Sequence, residues 1–399
     1  MSSTLLGPSA ITAESLRVLH NNLAFVGNID KQHDKETEFG GQKRGSTLRI
    51  RLPNQYTVRE TWGINAQDQS ESSVSLVIGT IRGVDMNFSD AELALDINEF
   101  SRRFIQPAMS VLASKIDHYC YGKAVEATYN LVGTAGTAPS TVNTWMGAHQ
   151  KLNESVAPIN PRIAVVNPAA EAATIDGLKA LFNNSTEIGK QYMNGKMGRA
   201  LGLDWYMSQN VKQLTRGTRT TGLVGTTVSA QGATTLVLDT IGVDGGTYVA
   251  GDVFTVSGVY KVNPETKETT GALQQFVVTT AATAVGDDAT LTVSPAMYTT
   301  GAKQNIDAFP VDGATVTMVG TASTAYPENL VFHPEAYTFA TANLEMPSDV
   351  SFKSQMAQDG INIRILRQYD INSANYPMRL DVFFGFLAQR PEFGCRVIG

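Results

Sequence analysis

The stretch Gly360–Gly399 reads GINIRILRQYDINSANYPMRLDVFFGFLAQRPEFGCRVIG, and its periodicity decides the fold. Ile361, Ile363 and Ile365 alternate with Asn362 and Arg364, the period of a half-buried strand. A turn-rich break through Asn372, Ser373, Asn375 and Pro377 follows. A second strand is expected from Arg379, with Leu380, Val382, Phe384, Phe386 and Ala388 on one face. Its other face starts polar at Arg379 and Asp381 and becomes apolar at Phe383 and Leu387. The strand therefore enters from a wet edge and ends buried on both sides, as the second arm of a long antiparallel hairpin.

Working outward, a chain of 399 residues exceeds the roughly 250–300 that one core organises, so two or more domains are expected. The 42% hydrophobic content is that of a globular protein. Cys120 and Cys395 are the only cysteines. They show neither metal nor redox spacing, and they point to synthesis in a reducing cytoplasm. The opening MSSTLLGPSA has no basic n-region followed by an apolar run, so no signal peptide is expected. No stretch reaches the length of a membrane helix. Charge is unevenly placed. Between Gly222 and Thr324 three lysines face nine acids, a balance of −6 that equals the net charge of the whole chain. That segment reads as a separate unit.

Further patterns fill in the order of elements. Residues 12–26 predict a short amphipathic helix capped by Thr12, with Leu16, Leu19 and Leu23 on one face. Residues 27–45 predict an extended arm. Leu48, Ile50 and Leu52 alternate with Arg49 and Arg51, and a second alternating run spans Val74–Ile81. Two such strands with a long polar tip form a ribbon, which is marginal alone and needs something to lie on. Residues 91–131 carry apolar positions from Leu93 through Ile116 to Leu131 every three or four residues. This predicts a helix of roughly 58 Å at about 1.5 Å per residue. Pro107 should kink or divide it. Its apolar stripe should lie on the C-terminal hairpin.

Residues 139–210 read as α/β. Val142, Trp145 and Leu152 mark a helix, and Arg162–Val166 a buried strand. Asn167 caps a second helix with Pro168 at its first turn and Ala172, Ile175, Leu178 and Leu181 on its face. Another strand is expected at Leu203–Met207. From 222 to 324 no helix is legible. Short strands at Thr234–Asp239, Asp252–Ser257, Gln274–Thr279, Ala289–Ser294 and Ala314–Val319, with Gly/Asp turns, predict a small sandwich or barrel. Weak helical patterning returns at Pro334–Leu344.

Several of these segments resemble one known family. Arg367-Gln368-Tyr369-Asp370, Arg379-Leu380-Asp381 and Arg390-Pro391-Glu392 before Cys395-Arg396 resemble the closing segment of tailed-phage major capsid proteins with the Hong Kong ninety-seven fold. Gly198–Val211 is similar to the segment leading into an insertion in podovirus-type coat proteins. Gly251–Val259, Val262-Asn263-Pro264 and Leu273–Val278 resemble their inserted β-barrel, and Phe332–Ala336 the return to the capsid core. The resemblance implies an α+β architecture: an N-terminal arm at 1–40, an E-loop ribbon at 41–85, and spine helix with P-domain at 86–138. An A-domain follows at 139–221, an inserted all-β domain at 222–324, and at 325–399 the return with the C-terminal hairpin. It further implies pentamers and hexamers closing into an icosahedral shell, with scaffolding and portal proteins as partners. Packaged double-stranded DNA would be held without tight binding, and the shell would be assembled in the host cytoplasm as part of a virion. The loops Gly242–Gly251 and Asn263–Gly271 are modest beside the long charged hairpin some relatives carry, which leaves a contact across two-fold axes open.

Catalytic patterns are absent from the sequence. Gly122-Lys123, Gly189-Lys190 and Gly195-Lys196 lack the glycine of a phosphate loop five positions earlier. No Gly-x-Ser-x-Gly elbow occurs, and His20, His33, His118, His149 and His333 form no ligand cluster. Asp287-Asp288 after Gly286 reads as a β-turn rather than a calcium loop. No catalytic, cofactor or metal residue is therefore assigned, and an enzyme is the least favoured class. Arg49, Arg51, Arg59 and Trp62 are the candidates for a subunit interface. Their alternative is a solvated strand face. No broad basic patch exists for phosphate contacts, so duplex DNA binding is expected to be poor. Two rival readings remain: an encapsulin-like cellular shell around enzyme cargo, and a secreted adhesin or carbohydrate-binding β protein.

Overall fold

The computed structural model describes residues 7–31, 47–59, 62–64, 72–88, 97–178, 198–239, 245–350, 352–371 and 375–399. Leu93, Leu181, Asn372 and Ser373 lie outside them, as does most of the expected arm. The chain divides into two compact units. One holds Met1–Ile50, Ser73–Cys120 and Tyr337–Leu387; the other holds Arg51–Ser72, Tyr121–Ala336 and Ala388–Gly399.

In the first unit the C-terminal hairpin is the centre of a five-stranded sheet. Its order is Tyr337–Thr341, Tyr376–Ala388, Ile361–Arg367, Phe352–Gln358, with Thr80–Phe88 also paired to Tyr376–Ala388. Ile361, Ile363 and Ile365 are buried, as their alternation requires. The second strand begins at Tyr376, so Pro377 belongs to it and not to the turn. Here Pro377 stands opposite Asn87 at the start of the strand pair, a position where its missing N–H is tolerated. Thr80–Phe88 runs antiparallel to it from Phe88 opposite Tyr376 to Thr80 opposite Phe384. The single run expected at Val74–Ile81 is thus two strands, Ser73–Val77 and Thr80–Phe88, serving different sheets. The expected helix at Pro334–Leu344 is instead a 3-10 turn, Pro334–Ala336, and a fully buried strand, Tyr337–Thr341.

The first helix spans Pro8–Asn22, four residues earlier than expected, with Pro8 in its first turn. Proline is favoured there because its missing N–H has no helical partner to lose. Thr12 is inside this helix and does not cap it; its hydroxyl donates to Pro8 O at 2.6 Å. Beyond it, Asp117 on the long helix is buried and accepts from the Phe25 and Val26 amides at 2.8–3.2 Å. That carboxylate fixes the chain where the first helix ends. The long helix is Gln106–Ala127, 22 residues, about 33 Å. It is continuous with Ile97–Phe100 through a π-turn, Ser101–Ile105. Pro107 therefore neither divides the helix nor ends it: the wider turn just before it absorbs the missing donor. Leu131 is not helical but opens the strand Leu131–Gly133. The helix does lie on the hairpin sheet in this unit, where Tyr119 meets Phe384 edge-on with ring centroids 5.8 Å apart.

The second unit contains an α/β sheet and a barrel. The sheet runs Leu131–Gly133, Gly394–Ile398, Ala325–Phe332, Ile163–Val166, Leu203–Met207, Arg199–Ala200, with Gln213–Thr215 beside Ala325–Phe332. Helix Val142–Glu154 is capped by Thr141, and Trp145, Ala148 and Leu152 are its buried face. Asn167 Oδ1 accepts from the Ala170 amide at 2.9 Å, the cap that its sequence position predicts. Trp145 meets Trp205 edge-on, centroids 4.7 Å apart.

The barrel closes in the order Ala233–Asp239, Ala289–Met297, Thr269–Thr280, Val253–Val262, Thr315–Met318, Thr221–Val224. The five expected strands are present, several longer than their alternation shows. The sixth, Thr221–Val224, completes the closure by pairing with strands on both sides. Closure removes the exposed edges an open sheet would present. Leu236, Leu238, Phe254, Val256, Phe276 and Leu291 are among its buried core residues. Phe254 and Phe276 stack with centroids 5.7 Å apart.

Candidate functional site

Two places stand out: the ribbon and the seat of the barrel. The ribbon pairs Thr47–Arg51 with Ser73–Val77. Its base does find something to lie on within its own chain. Leu48, Ile50, Leu76 and Ile78 pack with Ala340, Leu344 and Phe383. Arg49 and Arg51 alternate with these leucine and isoleucine positions and are exposed. Beyond the base the tip was expected to be polar. Among its described residues, Val58, Trp62 and Ile64 are 90%, 103% and 92% exposed. Arg59 Nη1 donates to the carbonyls of Trp62 (3.1 Å) and Gly63. Arg59 and Trp62 are thus brought together through the Trp62 carbonyl. Isolated exposed apolar residues are ordinary; here three lie within seven positions of one another.

The hairpin holds a clamp that its pattern does not show. Asp381, expected on a wet edge, is 1% exposed. Arg364 Nη2 and Arg379 Nε each reach one of its oxygens at 2.7 Å. Gly83 stands across the pair from Asp381. A Cβ there would come within 2.6 Å of Asp381 Oδ1 and of Leu380 O, so only glycine fits.

The barrel sits on the α/β sheet of its own unit through an apolar patch ringed by polar pins. Tyr129, Leu131 and Ile398 of the sheet side meet Val253 and Val277 of the barrel. The Gln275 amide donates to Leu131 O and accepts from Leu131 N, both at 2.9 Å, so it pairs with that backbone as another strand would. Arg396 is 1% exposed. Its Nη2 lies 2.8 Å from Glu328 Oε1 and its Nε 3.0 Å from Oε2, a two-pronged pair. Its Nη1 donates to Gly251 O at 2.6 Å and reaches Val125 O at 3.3 Å, tying the barrel to the end of the long helix. At the linkers, Arg216 Nε pairs with buried Asp252 at 3.2 Å while Nη1 donates to Val319 O and to Gly320 O at 2.9 Å. Asp252 also accepts from the Gly217 and Val249 amides. One ion pair thus gathers the strand entering the barrel and the strand leaving it.

A third buried charge at the seat is Lys261, 5% exposed, on the barrel strand Val253–Val262. Its Nζ donates to Ser155 Oγ at 2.8 Å and lies 3.9 Å from Glu154 Oε2, at the C-terminal end of helix Val142–Glu154. Burial lowers its pKa to about 8, against the pull of the Glu154 carboxylate. A serine beside such an amine resembles a nucleophile and base. Both groups are buried, however, and Ser155 Oγ itself donates to Lys151 O at 2.9 Å. The pair is closed to substrate and structural. Burial likewise pushes the Cys395 thiol up to about 12, leaving it protonated and unreactive.

Other sequence candidates are structural. Arg390 Nε lies 3.2 Å from Glu392 and its guanidinium stacks 3.9 Å from the Phe393 ring, fixing the turn Pro391–Phe393. His333 Nδ1 accepts from the Glu335 amide at 3.4 Å, and burial lowers its pKa. Asp288 and Val285 exchange backbone bonds in a turn with Gly286 at φ 64°. Among the described residues no group of three or more His, Cys, Asp or Glu could hold a metal. No helix among them is long and apolar enough to cross a membrane.

Comparison with known proteins adds the following. The family described as P22 coat protein, gene protein 5, matches residues 29–399. Among solved structures, one described as Mycobacterium phage Che8 is 12% identical, with a TM-score of 0.48 over 92% of this chain and 88% of that one. The virus-like particle from Pyrococcus furiosus is 8% identical, with a TM-score of 0.41 over 98% of this chain and 97% of that one. The CUS-3 coat protein I-domain is 27% identical, with a TM-score of 0.19, covering 26% of this chain and 96% of that chain. No curated protein matches.

Proposed function

This chain belongs to the P22 coat protein family, a major capsid protein that builds an icosahedral shell, and we propose that its ribbon tip carries a subunit contact. It is a structural protein of the virion rather than an enzyme. The observation that supports the contact is the tip itself: Val58, Trp62 and Ile64 exposed together, with Arg59 bonded to the Trp62 carbonyl. A second copy would cover these side chains, with Arg49 and Arg51 meeting its carboxylates. Each exposed ion pair would contribute roughly 0.2–1 kcal/mol. Symmetry repeats that small contact around every ring, and linked contacts reinforce one another.

The same reading extends to partners. A closed container filled with double-stranded DNA calls for a portal and a scaffolding protein during assembly in the host cytoplasm. Its wall should not hold the genome tightly, which fits the near-neutral body and acidic barrel segment. Negative-stain electron microscopy of the expressed chain tests the shell, with uniform hollow particles expected and persistent monomers alone contradicting it. Trp62→Ser and Arg51→Glu test the tip: particle yield should drop while the monomer stays folded by circular dichroism. Normal yield from both variants sinks the assignment.

A further inference from the structure

The barrel core is complete without Lys261, whose side chain leaves the barrel and enters the seat. There its compensation is thin. The one close partner of the ammonium is a neutral hydroxyl, Ser155 Oγ at 2.8 Å, and the nearest carboxylate oxygen, Glu154 Oε2, is 3.9 Å away. That oxygen is buried, takes no hydrogen bond, and is shared with Lys151, whose Nζ is also 3.9 Å from it. Two cations thus divide one carboxylate. The strand Gly394–Ile398 and its preceding turn bring Cys395 and Glu392 to the same place, the thiol protonated and the carboxylate favouring the charged amine. A charge buried with so little to pair it opposes the burial.

We propose that Lys261 makes the seating of the barrel on the α/β sheet responsive to pH, the seat tightening as the amine loses its proton. The direction follows from linkage. Unseated, the side chain stands in water and titrates near the ordinary 10.5; seated, it titrates near 8. Between those values the unseated form binds more protons, so raising the pH favours the seated form. Below about 8 the amine is charged in both forms and the full penalty remains. The opposing pull of Glu154 limits the penalty and does not reverse it, because burial is the larger influence. The full interval corresponds to a change on the order of a hundredfold in the seating equilibrium. Subunits at neutral pH therefore carry a barrel whose seat is held below its possible strength, while the barrel core is untouched.

Cys395 is the reporter, because its thiol is fully buried among Lys261, Lys151 and Glu154. Labelling of Cys395 in the full chain by a neutral thiol reagent would be measured from pH 7 to 9.5, each rate divided by that of the unfolded chain at the same pH. The native chain should gain at least tenfold protection across the range. Lys261→Met should be protected throughout, with no such gain, and Lys261→Arg, charged at every pH used, should stay weakly protected. Protection in the native chain that does not rise, or a rise of equal size in Lys261→Arg, overturns the proposal. The arginine variant keeps the test decisive if the methionine variant fails to fold. Far-ultraviolet circular dichroism should be unchanged across the range, and a loss of strand signal that parallels labelling would also overturn it.

Discussion

The barrel has two interiors, and they are built by different rules. Inside its closed wall the contacts are almost wholly hydrocarbon, from Leu236 and Phe254 through Phe276 to Leu291 and Val316. Under it, where it meets the α/β sheet, a small apolar patch is surrounded by buried charge: Arg396 with Glu328, Arg216 with Asp252, and Lys261 beside Glu154. A hydrocarbon core tolerates many arrangements of similar volume. Buried ions tolerate few, since each displaced donor leaves an uncompensated charge. The comparison teaches that the core makes the barrel fold, whereas the seat fixes where and at what angle it is carried.

The comparison can be broken most forcefully at Arg396. Arg396→Met leaves Glu328 buried and alone, and should lower unfolding free energy by about 3–5 kcal/mol in a urea titration. The double variant Arg396→Met/Glu328→Leu should recover most of that loss. If the double variant is as unstable as the single, the pair is not the source of the effect. Leu291→Ala, inside the barrel, should cost about 2–5 kcal/mol through lost contacts and a cavity. Its effect should be a lower midpoint with no change in pH dependence. Lys261→Met should have the opposite sign at pH 7, raising stability by about 1–3 kcal/mol. A destabilised methionine variant would mean that the Ser155 and Glu154 contacts outweigh the burial. The smallest effect on the isolated chain should come from Arg51→Glu, within about 0.5 kcal/mol by thermal unfolding, even though it should lower shell yield.

The two interiors also differ in what the sequence reveals. Strands of the barrel and the hairpin are legible because Ile361, Ile363 and Ile365, or Leu236 and Leu238, alternate with residues that face away. Tyr337–Thr341 is buried on both faces and shows no alternation, so it reads as a weak helix. Thr80–Phe88 is only half legible: Val84, Met86 and Phe88 alternate with Asp85 and Asn87, but Arg82 and Gly83 are exposed side by side and break the period before them. The clamps are less legible still. Arg396, Asp252, Lys261 and Asp381 are charged, and charge in a sequence reads as surface. Apart from Asp381, which pairs with Arg379 two positions away, their partners lie far off: Arg396 meets Gly251 across 145 positions and Lys261 meets Ser155 across 106. No local period encodes such pairs. The ribbon arginines were visible through their alternation with Leu48 and Ile50. Trp62 was likewise legible as a candidate, whereas the exposure of Val58 and Ile64 was not, because single apolar residues among polar neighbours show no period.

The order of strands has a consequence for synthesis. Ile163–Val166 is buried along its length and pairs with Ala325–Phe332 on one side. The whole barrel lies between those two strands in the chain. At about 5–20 residues per second, a ribosome needs about 8–30 s to make the residues from Val166 to Ala325. Throughout that interval a hydrophobic strand edge stands open on the nascent chain, and the barrel gains its last strand, Thr315–Met318, only at the end of it. The tempo of translation through the barrel thus sets how long the sheet is exposed to chaperones or to a neighbouring nascent chain. Slow codons between Gln274 and Met297 should lower the soluble yield, and an unchanged yield would separate tempo from folding.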